Sequence, residues 1–242
     1  MAENYIKTRW MGHSSWELET AKGRKLVIDP WYTGNPKNPG DVEDVEADYV
    51  LITHDHWDHV KDVPALIEKG AKVVAQPEVE KRFVEEHGVS GESFIRINMG
   101  GTVELEEDLK VTLFHAFHSA DSGAPGGLII RSGGVTIMNA GDTALHKDLE
   151  LYGEIYEPTL FMLPIGDRFT MGPRDAARAV SMVQPKYYVP MHYNTFPAIN
   201  QDPKGFEKLV KETGAASSSW IPEPGEEKFW SKDGSKEATS VK

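Results

Sequence analysis

The sequence predicts an α/β protein built as a sandwich of two β-sheets with helices on the outside. Three observations lead there. Strand-like runs fill two stretches of the chain, each flanked by helix-like segments, and two such halves bury their apolar faces most simply against one another. The histidines and aspartates that fit no core position fall at the ends of strand-like runs, as a site along one edge of a sandwich requires. The chain's 242 residues, 39% hydrophobic and 10% aromatic, can bury a substantial core, and its 22 Gly and 15 Pro supply the turns that a strand-rich chain needs.

Tyr5 to Trp10 and Ser15 to Thr20 read as strands, Lys22-Gly23-Arg24 as a turn, and Lys25 to Asp29 as an apolar run closed by Pro30. Trp31 to Asp41, rich in Gly, Asn and Pro, is loop. Ala47 to Thr53 is a buried strand; Val60 to Lys69 is helical and stops at Gly70, which can take the left-handed capping conformation. Ala71 to Ala75 is a strand, and Glu78 to His87 a helix ended by Gly88. Strands follow at Ser93 to Asn98, Thr102 to Leu105, Leu109 to Phe117, Gly127 to Ser132 and Val135 to Asn139, with Gly100-Gly101 and Gly133-Gly134 as hairpin signals. After a helical piece near His146 to Tyr152 come a strand at Thr159 to Leu163 and a helix from Pro173 to Met182, with Pro in its first turn. A strand Tyr187 to Pro190 and a helix from about Pro203 to Thr213 complete the pattern.

No linker or internal repeat is visible, so residues 1–230 read as a single domain. Residues 231–242 are polar, lack an apolar anchor, and are expected to be a disordered tail. The start of the chain shows no basic segment followed by an apolar run, and no stretch approaches the length of a membrane span; a cytoplasmic location is the expectation. The formal net charge of -12 argues against nucleic acid or an anionic membrane as partner. Bound cations would offset that charge locally, so a small-molecule substrate could still be anionic. Homo-oligomerisation is compatible with the chain but not indicated by it. There is no Cys, which removes disulfides and every thiolate ligand.

The run His54-Asp55-His56-Trp57-Asp58-His59 follows the buried strand directly. Imidazole and carboxylate crowded into a strand-end loop are poor core material, and they are the donors that borderline divalent cations prefer. Histidines number nine, so the others can be weighed singly. His118 ends the strand beginning at Leu109 and enters a Gly-containing loop; His115 lies three residues earlier, on the opposite face if the strand continues. Asp142 follows the strand Val135 to Asn139, and His192 follows Tyr187 to Pro190. Surface loop histidines are the rival reading for His118 and His192, and a helix-capping aspartate for Asp142. His13, beside Gly12, marks a bend in a strand-like region and could be a turn histidine bonded to nearby backbone. His87 and His146 sit in polar, helix-like contexts and are expected at the surface.

Together these residues resemble the metallo-β-lactamase superfamily over Trp10 to about Phe196. The His-x-His-x-Asp-His signature is complete as His54, His56, Asp58 and His59, preceded by Thr53. The later single His, Asp and His of the family match His118, Asp142 and His192 in order. The runs Trp10-Met-Gly-His-Ser, Val27-Ile-Asp-Pro-Trp, Ala140-Gly-Asp-Thr, Leu163-Pro-Ile-Gly-Asp, Phe169-Thr-Met-Gly-Pro and Pro190-Met-His-Tyr are similar to the branch holding ascorbate-6-phosphate lactonase and related metal-dependent hydrolases. Relatives that need a Cys ligand, or Glu in place of His56, are excluded.

The resemblance implies an αββα sandwich of two mixed sheets with a binuclear metal site at one edge. It implies that His54, His56 and His118 hold one ion, that Asp58, His59 and His192 hold the other, and that Asp142 bridges them. Zn2+ is the expected metal; Mn2+, Fe2+ and Ni2+ also tolerate such N/O donors. The implied activity is hydrolysis of an ester, lactone or phosphodiester by a hydroxide shared between the ions; a phosphodiesterase acting on cyclic nucleotide or lipid phosphate, or a non-catalytic metal-binding protein, is the alternative. Asp58 would orient that nucleophile or return a proton to the leaving group, and His13 is expected to face the substrate and polarise its leaving oxygen. Asp29 and Thr53 are candidates to support the ligand imidazoles from behind.

Overall fold

Apolar side chains at alternate positions give the first two strands, β1 (Ile6–Trp10) and β2 (Trp16–Thr20), one buried face and one half-buried face. A central parallel strand such as Leu160–Pro164 is buried throughout because it is covered on both sides. The computed structural model describes residues 4–236. In the first half β3 (Lys25–Ile28), β4 (Tyr49–Leu51), β5 (Lys72–Ala75) and β6 (Phe94–Arg96) follow, interleaved with the helices α1 (Trp57–Val60), α2 (Val63–Glu68) and α3 (Pro77–His87). The second half holds β7 (Thr102–Glu106), β8 (Leu109–His115), β9 (Gly126–Ser132), β10 (Val135–Asn139), α4 (Asp148–Tyr156), β11 (Leu160–Pro164), α5 (Pro173–Val183), β12 (Tyr187–Met191), α6 (Pro203–Glu212) and β13 (Ser218–Ser219). The chain returns as β14 (Glu227–Ser231) and β15 (Gly234–Lys236).

One sheet has the order β15-β14-β1-β2-β3-β4-β5-β6 and the other β13-β12-β11-β10-β9-β8-β7. Both are mixed. From β1 to β6 the pairings run antiparallel twice and then parallel three times. From β8 to β13 they do the same. The halves thus share a topology that no sequence repeat announces.

The main core lies between the sheets, where Trp16, Leu26 and Leu51 of one join Val111, Ile130 and Ile137 of the other; it continues under Ala176 and Val180 of α5 and Phe206 of α6. A second cluster seals the outer face of the first sheet, with Val50 and Val73 under Leu66 of α2 and Phe83 of α3. The architecture is the predicted sandwich with helices outside. Among the described residues no helix is long and apolar enough to cross a membrane.

Two segments depart from the sequence reading. The helix expected over Val60 to Lys69 is two pieces, because Asp62 turns its carboxylate to the backbone N–H groups of Tyr32 and Thr33 instead of continuing the first helix, and Pro64 opens the second. The tail expected to be disordered begins as a hairpin. β14 pairs with β1 and β15 with β14; Trp230 is fully buried with its Nε1–H 2.8 Å from Thr8 Oγ1, and Ser231 is buried too. The apolar anchor is Trp230, one residue ahead of the polar stretch. Residues 237–242 lie outside the described residues.

Candidate metal centre

The strand ends of both sheets converge on one rim. The first sheet contributes His13 from the β1–β2 turn, Asp29 just past β3, and the His54–His59 run between β4 and the end of α1. The second contributes His118 beyond β8, Asp142 beyond β10 and His192 directly after β12. Donor atoms of His54, His56 and His118 lie within 4.8 Å of one another, as do those of His13, Asp58, His59 and His192, and those of His54, His59 and Asp142. Asp142 sits centrally: its Oδ2 is 3.0 Å from His192 Nε2, 3.4 Å from His59 Nε2 and 3.7 Å from His118 Nε2. All seven positions matched to the family's ligands are therefore gathered in one place.

Local sequence explains how they are held. Asp29 is fully buried and accepts from Thr53 N (2.9 Å), Thr53 Oγ1 (2.7 Å) and His59 Nδ1 (2.8 Å). With its proton given to Asp29, the Thr53 hydroxyl accepts from His54 Nδ1 at 3.1 Å. Both imidazoles thus donate through Nδ1, which turns Nε2 to the centre. The carboxylate and hydroxyl anticipated behind the ligands are the residues found there.

Gly141 has a φ of +60°, and a Cβ on it would lie 2.3 Å from Gly126 O; only glycine lets Asp142 approach this closely. His13, Asp29 and His192 also have left-handed backbone, with φ of 57°, 47° and 54°. Such conformations cost a non-glycine residue of order 1–3 kcal/mol and collect where function requires them.

Charge is divided among the donors. Burial, with His59 and other nearby rings, holds His54 well below its ordinary value; burial also lowers His118. Both are neutral. Burial alone would lower His59 too, but Asp142 and Asp29, one at each ring nitrogen, hold it well above. Burial works to raise Asp142, yet His192 and His59 keep it ionised.

The donor set fits a divalent cation. His54 Nε2 and His56 Nδ1 face each other at 2.9 Å, while nitrogens sharing one tetrahedral zinc stand about 3.4 Å apart. His59 Nε2 and Asp142 Oδ1 are buried with no hydrogen-bond partner, atoms that a cation between them would satisfy. On the open side His56, Asp58 and His118 are half-buried, flanked by the exposed Trp57 and Phe117.

His13 departs from expectation. Its side chain is fully buried, with Nε2 3.1 Å from Asp58 Oδ2 and Nδ1 2.9 Å from Thr195 Oγ1. Burial and the neighbouring His192 lower its pKa to about 3, so it is neutral, donating to Asp58 and accepting from Thr195. No nitrogen is left for a substrate. The motif residue Trp10 supports this turn by donating its Nε1–H to His13 O at 3.0 Å. Thr195 carried no signal in the sequence beyond its nearness to His192. Asp55, inside the His/Asp run, has a role the sequence does not signal. It is fully buried and accepts from Asp121 N (2.8 Å), Ser122 N (3.0 Å), Ser122 Oγ and Arg82 Nη1 (2.8 Å), which fastens the loop after His118. His115 stays apart from the central cluster because β8 ends there, and His146 is buried instead of surface-lying; His87 is exposed as expected.

The family model described as "Beta-lactamase superfamily domain" matches residues 7–192. A "UPF0173 metal-dependent hydrolase" from Pyrobaculum arsenaticum is 41% identical over 224 residues, which cover 91% of this chain and 98% of that protein. A protein of the same description from Methanosarcina mazei is 40% identical over 231 residues, covering 91% and 97%. Among solved structures, Igni18, described as a novel metallo hydrolase from Ignicoccus hospitalis, superposes with a TM-score of 0.85 at 35% identity, covering 93% of this chain and 98% of that one.

Proposed function

Because the chain belongs to the β-lactamase superfamily, in the company of its metal-dependent hydrolases, we propose that it is a binuclear metal-dependent hydrolase acting on an ester, lactone or phosphodiester. The observation that carries this reading is the division of the donors into two groups with Asp142 between them. His54, His56 and His118 would hold one ion and Asp58, His59 and His192 the other, with Asp142 placed to serve both. The imidazole-rich N/O donor set suits Zn2+, and Mn2+, Fe2+ or Ni2+ also tolerate it.

Two divalent ions in such a site lower the pKa of bound water toward neutrality and offset negative charge that develops on the substrate. The protein's own residues do the rest. Asp29 and Thr53 fix the rings of His59 and His54, so that little reorganisation is needed when substrate arrives. Asp58 orients the attacking water and carries its proton to the leaving oxygen, as the acyl or phosphoryl bond to that oxygen breaks and the bond to the water oxygen forms. His13 holds Asp58 in place through Oδ2 and is a positioning residue. Substrate approaches past His56, Asp58 and His118, the least buried members of the set.

The test is a comparison of chelator-stripped protein with protein reloaded with Zn2+, Mn2+, Fe2+ or Ni2+, assayed on lactones, thioesters and a chromogenic phosphodiester. Turnover of at least one class should appear only on reloading. His56→Ala and Asp142→Ala should lose both turnover and bound metal with the fold kept. Activity independent of metal, or metal-loaded protein inert toward every class, would overturn the reading.

A further inference from the structure

Six of the histidines line the centre and His87 lies on α3; the remaining two, His115 and His146, meet each other elsewhere. His115 is the last residue of β8, and His146 lies in the connection between β10 and α4. Their ring centroids are 5.0 Å apart, and the exposed ring of Phe117 packs on both, at 5.5 and 5.0 Å. Asp148, the first residue of α4, has Oδ2 3.0 Å from His115 Nε2. One donor atom from each of His115, His146 and Asp148 lies within 4.8 Å of the others.

Two details separate this cluster from an ordinary ion pair. His146 is only 9% exposed, and neither of its ring nitrogens has a hydrogen-bond partner. A buried imidazole without a partner forfeits roughly 1–3 kcal/mol per lost group, so such rings are seldom left idle. His115 has Nδ1 3.1 Å from the hydroxyl of Tyr152. An Nδ1–H donated to Tyr152 leaves the lone pair on Nε2, the nitrogen that faces Asp148. Burial and the proximity of His115 lower the pKa of His146, which keeps it neutral and able to ligate.

We propose that His115, His146 and Asp148 form a further metal site for a borderline divalent cation such as Zn2+ or Ni2+, with a fourth position open to water. Two imidazoles and one carboxylate select such ions over Ca2+ or Mg2+, which favour all-oxygen surroundings. The site would act on the centre without touching it. Phe117 N donates to Thr143 Oγ1 at 3.0 Å, and Ala144 N donates to Phe117 O at 3.0 Å. The two segments so joined carry His118 and Asp142 on one side and His115 and His146 on the other. An ion on the outer side therefore pins the pair of segments that present two central donors.

The experiment is equilibrium dialysis of the intact protein against graded Zn2+, with bound metal counted per chain for the wild type, His146→Ala and Asp148→Asn. These variants leave every central donor in place, so failure of the central assignment changes all three proteins alike. The wild type should take up one ion more than His146→Ala. Asp148→Asn, altered at an exposed side chain and safe for folding, should bind that ion roughly tenfold or more weakly. Equal uptake by all three overturns the site. Loss in His146→Ala with unchanged affinity in Asp148→Asn overturns the three-residue assignment.

Discussion

His59 Nδ1 stands 2.8 Å from Asp29 Oδ2, and both side chains are fully buried. The pair fixes which nitrogen of His59 faces the centre. Asp29→Asn keeps the shape but can present an N–H where an acceptor is required. Metal affinity should fall about 10–100-fold with little change in the fold, as read by competition with a chromophoric chelator. Affinity equal to wild type would show that Asp29 serves packing only.

Metal loading should release a proton from His59. In the metal-free protein Asp142 and Asp29 hold its pKa well above 6.5, so at pH 7 it is charged, whereas a ligand needs Nε2 as a lone pair. Affinity should rise with pH up to that raised value. The stability that His59 adds to the metal-free fold runs the other way: it is full below 6.5 and is lost as pH climbs through the folded value. Calorimetry in buffers of differing ionisation enthalpy should report about one proton released from this ring, and His59→Gln should abolish that release.

Asp55→Ala should loosen the loop behind His118. Four donors converge on this carboxylate, and its loss should cost about 2 kcal/mol, less than for a sealed pair because Arg82 reaches solvent. Burial pushes the Asp55 pKa up, but Ser122 and Arg82 prevail and hold it below 3.8. Its contribution is thus complete above 3.8 and disappears as pH falls through the lower folded value. Denaturant melts of both proteins across the acid range should show the gap closing there.

His13→Ala should lower kcat about 10–100-fold and leave both central ions bound. Without the His13 hydrogen bond Asp58 loses one of the groups that hold it below its ordinary range, so the acid limb of the rate profile should move upward. Asn tolerates left-handed backbone and can donate, so His13→Asn should recover part of the rate. A stability loss with an unmoved acid limb would assign His13 to structure alone.

Trp230→Ala should remove about 3–5 kcal/mol and lower the Tm by roughly 10 °C, since it empties a fully buried position and strands Thr8 Oγ1. A melt within 2–3 °C of wild type, a small shift on this scale, would mean that the closing hairpin contributes little.

The sandwich and the gathered donors were legible because both follow from short patterns. Alternation located the strands, and histidine after a strand end located the rim. What remained hidden depends on contacts between distant segments. Nothing near Trp230 announces that it lodges beside Thr8, and the polarity of the next residues argued for a free end. His146 has a polar neighbourhood in sequence yet is covered by Phe117. His13 was singled out by its glycine, but the segments that enclose it begin at Asp58 and Thr195, so its orientation could not be read locally. Asp55 sits inside the most conspicuous motif and points away from it, toward Ser122 and Arg82.

Each sheet supplies only a fraction of either donor group: His54 and His56 come from one and His118 from the other, and Asp58 and His59 likewise face His192 across the seam. Neither sheet folded alone could assemble a complete set. An ion held there binds the docked sandwich and not its separated halves, so by mass action free metal becomes a variable of unfolding. At 100 times its dissociation constant, one such ion adds about 2.7 kcal/mol against separation of the sheets.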